Sequence, residues 1–265
     1  MSRKQRQSGA AQGNNSSRRK IEELEQLVRN NAEAVSTGPA KKTWYKKDMK
    51  VVRPMTANQE IAFNHWYASY ERHLALLGSA GTGKSFLAIA MGILDVMDPQ
   101  TPQKKMIIVR SLAQGRQIGA LPGSLEEKQG PTFSIYNTIF ADLFGRSDTL
   151  ANMVLAEVVQ LVDTSHIRGA TWNNAIVVVD EITSMNDHEV DTVMTRIGED
   201  SRVIICGDQK QSDLVTSANK ADKHNYQKFL TTIERMPSID IVKFTFDDIV
   251  RSGFVKDWII ASDGV

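Results

Sequence analysis

Residues 74–88 read LALLGSAGTGKSFLA, an apolar run that enters a glycine-rich turn and leaves through Lys-Ser into a second apolar run. Within it Gly78, Ser79, Ala80, Gly81, Thr82, Gly83, Lys84 and Ser85 spell G-x-x-x-x-G-K-[ST]. The flanking patterns predict a buried strand before the turn and a helix after it, the context that this spacing needs to form a phosphate-binding loop. Glycines there let successive backbone N–H groups curl around phosphate oxygens, and the helix N-terminus adds its dipole. Lys84 is then expected to neutralise β- and γ-phosphate charge, and the Ser85 hydroxyl to ligate Mg²⁺. The competing reading is a glycine-rich turn with an exposed lysine, against which the strand–loop–helix context speaks.

Outward from this loop, HLALLG, KMIIVR, AIVVVDE, RVIICGD and IDIVKFTF read as strands. Their continuous Val/Ile/Leu character suits a mostly parallel sheet covered by helices on both faces, an α/β fold. Between them GKSFLAIAMGILDVM, TFSIYNTIFADLF, DTLANMVLAEVVQLV and DHEVDTVMTRIG carry helical periodicity. In such a sheet ligands sit beyond the carboxyl ends of the strands, so the residues that end each run become the candidate site.

AIVVVDE ends in Asp180 and Glu181. Asp180 is placed to hold Mg²⁺, and Glu181 to polarise an attacking water as general base. The strand in RVIICGDQKQ ends in Gly207, Asp208, Gln209 and Gln211, and Gln211 is a candidate for the γ-phosphate or its attacking water; a polar turn capping a helix is the alternative. Arg251, in DDIVRSGFV, is a candidate arginine finger acting in its own chain or across an interface. Arg110 ends KMIIVR, facing either a polyanion or Glu181, and a solvated surface charge is the alternative for both arginines. Gln59, in TANQ, carries an amide able both to donate to and to accept from adenine, or is a plain surface glutamine on a helix.

Composition sets the remaining bounds. The 265 residues hold 32 Lys and Arg against 31 Asp and Glu, so bulk charge does not indicate a polyanion partner. Charge is uneven, because MSRKQRQSGAAQGNNSSRRK is basic without an acidic residue. Residues 1–52 read as a basic flexible tail with one short helix (RRKIEELEQLVRNNAEAV) and a linker, and residues 53–265 as the α/β domain that carries the glycine-rich loop. The single cysteine, Cys206, excludes an internal disulfide and reads as a buried structural thiol. No apolar run approaches the roughly 18 residues of a membrane span, and no apolar core follows the basic start as in a secretory signal. A cytoplasmic protein without membrane association is expected.

Several ordered motifs carry a resemblance to the PhoH-like ATPase family, including its phage-type members. It runs from about Thr56 to Val255. TANQ resembles the family's adenine-side motif, GSAGTGKS its phosphate loop, and VRSLAQGRQIGALPGSLEEKQGPTFSIYNTI its long LPG…EK stretch. HIRGATWNNAIVVVDE, MTRIGEDSRVIICGDQKQSDL and DIVRSGFV are similar to its further segments. The LPG…EK element is the most specific, since it is not a generic nucleotide-binding feature. The resemblance implies a RecA-like P-loop core akin to one domain of superfamily 1 helicases, binding and hydrolysis of ATP with Mg²⁺, and an association with RNA metabolism. Two departures stand out. Asp180-Glu181-Ile182-Thr183-Ser184 lacks the glutamine of the family's Asp-Glu-Ala-Gln-Asn, and Ser111 stands where a proline is usual. No second RecA-like domain and no acidic nuclease cluster is read in the sequence.

Two function classes follow. One is an ATPase acting on RNA or single-stranded DNA in a helicase-like manner, with a homo-oligomer completing the cleft. The other is an ATP-gated binding or scaffold protein whose hydrolysis switches assembly without unwinding. A P-loop kinase for a small metabolite is disfavoured by the Gln211 segment and the position of Glu181.

Overall fold

The computed structural model describes residues 44–111, 125–164, 167, 169, 171–208 and 226–263. Its elements run α1 (Ala57–Ala68), β1 (His73–Gly78), α2 (Lys84–Val96), β2 (Lys105–Arg110), α3 (Leu125–Phe144), α4 (Thr149–Leu155) and β3 (Val159–Asp163). They continue with β4 (Ala175–Val179), α5 (Asp187–Met194), β5 (Arg202–Gly207), α6 (Tyr226–Glu234), β6 (Ile239–Phe244) and α7 (Gly253–Asp263). The six strands form one sheet in the order β3-β2-β4-β5-β1-β6, every neighbouring pair parallel.

Successive strand side chains face opposite ways, and this sorts the apolar residues into two layers. Leu74, Leu76, Met106, Ile108, Ile176, Val178 and Ile204 point to one face, which packs on Trp66 of α1, Ile89 and Ile93 of α2, Phe140 of α3 and Met153 of α4. Ala75, Leu77, Ile107, Val109, Val177, Val179 and Val203 point to the other, covered by Val190 and Val193 of α5 and Phe229 and Ile233 of α6. Both faces of the central strands are therefore buried, as their unbroken apolar runs predict. Trp44 and Met49 are already part of the first layer.

One predicted element is corrected. The periodicity of residues 148–162 predicts a single helix, whereas the chain divides there into α4 and β3. It turns over Ala156–Val158, where Glu157 takes a φ of 59°, and the valines that follow pair with β2 in register Met106↔Val159. β-Branched residues lose side-chain freedom in a helix and fit a pleated sheet. The apolar run of β2 thereby gains a neighbour on its outer side.

Register brings the carboxyl ends of five strands to one edge of the sheet. Val109 lies beside Val179, Val179 beside Ile205, Leu77 beside Gly207, and Gly78 beside Phe244. Arg110, Asp180, Asp208 and the loop after Gly78 consequently leave the sheet along one edge.

Candidate nucleotide site

The loop between β1 and α2 is shaped by three glycines at positive φ: Gly78 at 123°, Gly81 at 74° and Gly83 at 82°. At Gly78 the backbone of β6 is so close that a Cβ would overlap the carbonyl of Phe244. At Gly81 a Cβ would meet Arg251 Cγ and Ile259 Cδ1, each at 3.1 Å. Glycine is the residue that relieves both the steric and the dihedral constraint.

Lys84 lies at the first position of α2 and turns back over the loop. Its ammonium donates to the carbonyls of Gly78 at 2.7 Å and Ser79 at 2.6 Å, so its charge is held above the loop. Burial lowers its pKa from the ordinary lysine value, and Asp208 and Asp180 partly offset that. The next residue, Ser85, donates its hydroxyl to Asp180 Oδ1 at 2.6 Å. Asp180 is fixed at the end of β4 by its own N–H, which donates to the Val109 carbonyl at 2.9 Å.

The second carboxylate has a different setting. Glu181 sits in the left-handed region at φ 53° and ψ 51°, which turns the chain sharply out of β4. Arg110 reaches Glu181 Oε2 at 2.6 Å and Asp180 Oδ2 at 3.7 Å. Of the two readings open for Arg110 in the sequence, the contact made in the structure is the one with Glu181. The guanidinium pKa is raised: burial acts to lower it, and Tyr136, Glu181 and Asp180 outweigh that.

Tyr136, on α3, went unmarked in the sequence. It is fully buried, and its hydroxyl donates to Asp180 Oδ2 at 2.9 Å. Burial raises the phenol pKa well above its ordinary value, so the proton stays in place to be donated. Nothing local in FSIYNTIF separates this tyrosine from a plain core aromatic; its partner lies 44 residues away.

Gln59 is 3% exposed, in contrast to a surface glutamine. Its Nε2 donates to the Thr82 carbonyl at 3.0 Å and its Oε1 accepts from Met55 N–H at 2.8 Å. Thr56 caps α1 by accepting from Gln59 N–H at 3.3 Å. The amide thus ties α1 to the phosphate loop. Arg251 precedes α7, and the neighbouring Val250 N–H donates to the Gly81 carbonyl at 3.1 Å, so the arginine stands against the loop of its own chain. Gln211 and Gln209, the LPG segment and the basic tail lie outside the described residues. Cys206 is buried beneath the site, and burial raises its thiol pKa well above the ordinary value.

Gln59, Lys84, Ser85, Arg110, Asp180, Glu181, Cys206 and Arg251 line one cleft of about 660 Å³, together with Arg53, Met55 and Ile135, Ile139 and Asp142 of α3. The Ser85 hydroxyl and an Asp180 oxygen converging at 2.6 Å are hard oxygen donors of the type Mg²⁺ takes. No helix among the described residues is long and apolar enough to cross a membrane. Groups of three or more His, Cys, Asp or Glu fit to hold a metal are likewise absent among them.

The strand order, the glycine loop at the carboxyl edge of β1 and the acidic end of β4 define a P-loop fold with a RecA-like core. Residues 51–262 match the family model described as PhoH-like protein, and the chain belongs to that family. It is 31% identical over 166 residues to Protein PhoH2 of Bacillus subtilis (strain 168), a match covering 61% of this chain and 37% of that one. It is 27% identical over 212 residues to the PhoH-like protein of Mycobacterium tuberculosis (strain ATCC 25618 / H37Rv), covering 78% of this chain and 57% of that one. The chain thus spans between 37% and 57% of the length of these relatives. Among solved structures, the HK97 bacteriophage large terminase aligns with a TM-score of 0.49 and 13% identity, over 85% of this chain and 50% of the other.

Proposed function

We propose that this chain is an ATPase that binds ATP with Mg²⁺ and couples its hydrolysis to RNA or single-stranded nucleic acid. The observation that supports this best is the juxtaposition of Lys84, the Ser85–Asp180 pair at 2.6 Å and the Arg110–Glu181 pair at 2.6 Å along one edge of the sheet. Phosphoryl transfer asks a protein mainly for positioning and for charge stabilisation. Backbone N–H groups of Gly78–Ser85 and the α2 N-terminus receive phosphate oxygens, and Lys84 exchanges its loop carbonyls for them. Ser85 and Asp180 would hold the metal, which when bound would supply positive charge against the triphosphate. Glu181, anchored by Arg110, takes the proton of the attacking water. Arg251, beside Gly81, offers a cation from within the same chain.

Hydrolysis without unwinding, as in an ATP-gated scaffold, is the second reading, and Arg110 favours neither. Measurement of ATP turnover with and without RNA and single-stranded DNA separates the two. Lys84→Ala is expected to abolish tight ATP·Mg²⁺ binding, while Glu181→Gln keeps binding and loses hydrolysis by roughly 10²–10⁴-fold. Full turnover by Glu181→Gln removes the general-base assignment; stimulation absent with every polynucleotide leaves the scaffold reading. Mixtures of Lys84→Ala and Arg251→Ala chains are expected to stay inactive, and recovery of turnover would move the arginine to a neighbouring subunit's site.

A further inference from the structure

We propose that Tyr136 is a positioning residue that holds the metal-binding aspartate and the general-base glutamate in one fixed relation. This rests on the ATPase reading and deepens it. Donor and acceptor accounting carries the argument. Asp180 is acceptor-only: Oδ1 receives the Ser85 hydroxyl at 2.6 Å, and Oδ2 receives the Tyr136 hydroxyl at 2.9 Å. A phenol has one proton, so the Tyr136 hydroxyl that gives it to Asp180 presents only lone pairs to the Arg110 guanidinium, whose NH1 stands 3.7 Å from the same Oδ2. The same guanidinium is paired with Glu181 at 2.6 Å. The result is a series in which Ser85 and Tyr136 each donate to Asp180, Arg110 approaches the same Asp180 Oδ2, and Arg110 pairs with Glu181.

Tyr136 is the member that sets the geometry. By occupying Oδ2 it leaves Oδ1 turned towards Ser85. By occupying the Oδ2 that Arg110 NH1 approaches to 3.7 Å, it opposes closure of the guanidinium on Asp180 as a two-pronged pair, and so leaves it on Glu181. Arg–carboxylate pairs favour that two-pronged form, so removing the hydroxyl frees a competitor for the metal's own ligand. The residue also has a fixed foundation, because α3 buries Phe140 and Leu143 in the same core layer. Ile135 and Ile139 of the same helix line the cleft. One helix therefore forms a cleft wall and orients the carboxylate beneath it.

The test is Tyr136→Phe in the full chain, which keeps the ring and removes the hydroxyl. ATP affinity is measured in EDTA and with Mn²⁺, the latter followed by the paramagnetic signal of bound Mn²⁺, alongside turnover against Mg²⁺ concentration. A lost hydrogen bond to a charged group corresponds to about a tenfold to hundredfold effect. The expected result is that ATP affinity in EDTA changes by less than about twofold, while the Mn²⁺ affinity of the ATP complex falls about tenfold or more. Turnover at saturating metal should fall as well, because Glu181 loses its anchor. Arg110→Lys combined with Tyr136→Phe should be no worse than the poorer single variant, since both break one series. Wild-type Mn²⁺ affinity in Tyr136→Phe overturns the proposal, as do strictly additive losses. Equal losses of ATP affinity with and without metal would assign the tyrosine to packing and overturn it too. If the wild-type chain binds Mn²⁺·ATP but never turns it over, the ATPase reading fails while the Mn²⁺ comparison still decides the role of Tyr136.

Discussion

Two arginines, one buried and one half-buried, stand at opposite ends of this sheet, each facing an aspartate, and they are used differently. Arg202 opens β5 at the amino edge. Its NH1 meets Asp95 Oδ2 at 3.0 Å, its NH2 donates to the carbonyls of Trp66 at 2.6 Å and Ser69 at 3.1 Å, and its Nε donates to the Arg72 carbonyl at 3.1 Å. The guanidinium also lies 3.4 Å from the centroid of the Trp66 ring. Arg110 closes β2 at the carboxyl edge and divides itself between Glu181, Asp180 and Tyr136 on the wall of an open cleft. Their side chains are 1% and 17% exposed. The first arginine has its donors committed to fixed backbone carbonyls and a ring, so it can only hold the structure together. The second is committed to carboxylates that a metal and a triphosphate would also address.

The largest expected effect tests the closed end. Arg202→Leu strands Asp95 among apolar groups and leaves three carbonyls without their donor. Breaking a buried pair from one side typically costs about 3–5 kcal/mol, and chemical denaturation should show a loss of that size. Turnover per folded molecule should be unchanged, because the cluster lies at the opposite edge from Lys84. A stable but inactive Arg202→Leu would erase the distinction between the two ends.

A somewhat smaller effect comes from Asp95. Burial raises its pKa from the ordinary 3.8 to about 6, against the pull of Arg202. The folded chain then binds this proton more tightly than the unfolded one. The stabilisation is complete below the unfolded value and is lost as pH rises through about 6. A shift of about two units corresponds to about 3 kcal/mol. The difference in unfolding free energy between wild type and Asp95→Asn should therefore move against the wild type as pH rises from about 4 to 7. Asp98 and Asp240 have lowered pKa values, through Lys46 and Arg72 respectively, and titrate alike in both proteins. A pH-independent difference would mean that burial does not dominate at Asp95.

The two ends also differ in how much of each a sequence discloses. The carboxyl edge is legible where its parts are contiguous. Gly78–Ser85 and Asp180–Glu181 declare themselves because a phosphate loop and a strand-ending acid pair are made by neighbours in the chain. Tyr136 and the Arg202–Asp95 pair do not, since 44 and 107 residues separate the partners and each residue alone fits an ordinary core or strand end. β3 escaped notice for a related reason. Its five residues follow α4 without Gly or Pro, the turn being made by Glu157 at positive φ, a conformation no glycine signals. Gln59 shows a mixed case, for its place beside the loop is legible in TANQ but its burial against Thr82 is not.

The smallest effect concerns the open end. Arg110→Met removes a cation whose partners border solvent and ligand, so the stranded charges regain water or the bound metal. Glu181 is 36% exposed at its side chain, and solvent there weakens the pair well below a buried one. Stability should change by less than about 1 kcal/mol by that reasoning. Turnover should fall about tenfold to hundredfold, because the glutamate loses a charge-assisted hydrogen bond that orients it. Arg110→Lys should recover part of the rate by restoring charge without the planar guanidinium that reaches both Glu181 and Asp180. The check is a paired measurement of denaturation and ATP turnover on Arg110→Met, Arg110→Lys and Arg202→Leu. If Arg110→Met loses stability as heavily as Arg202→Leu while keeping its rate, both arginines are structural. The series from Ser85 to Glu181 would then have to be drawn without its fourth member.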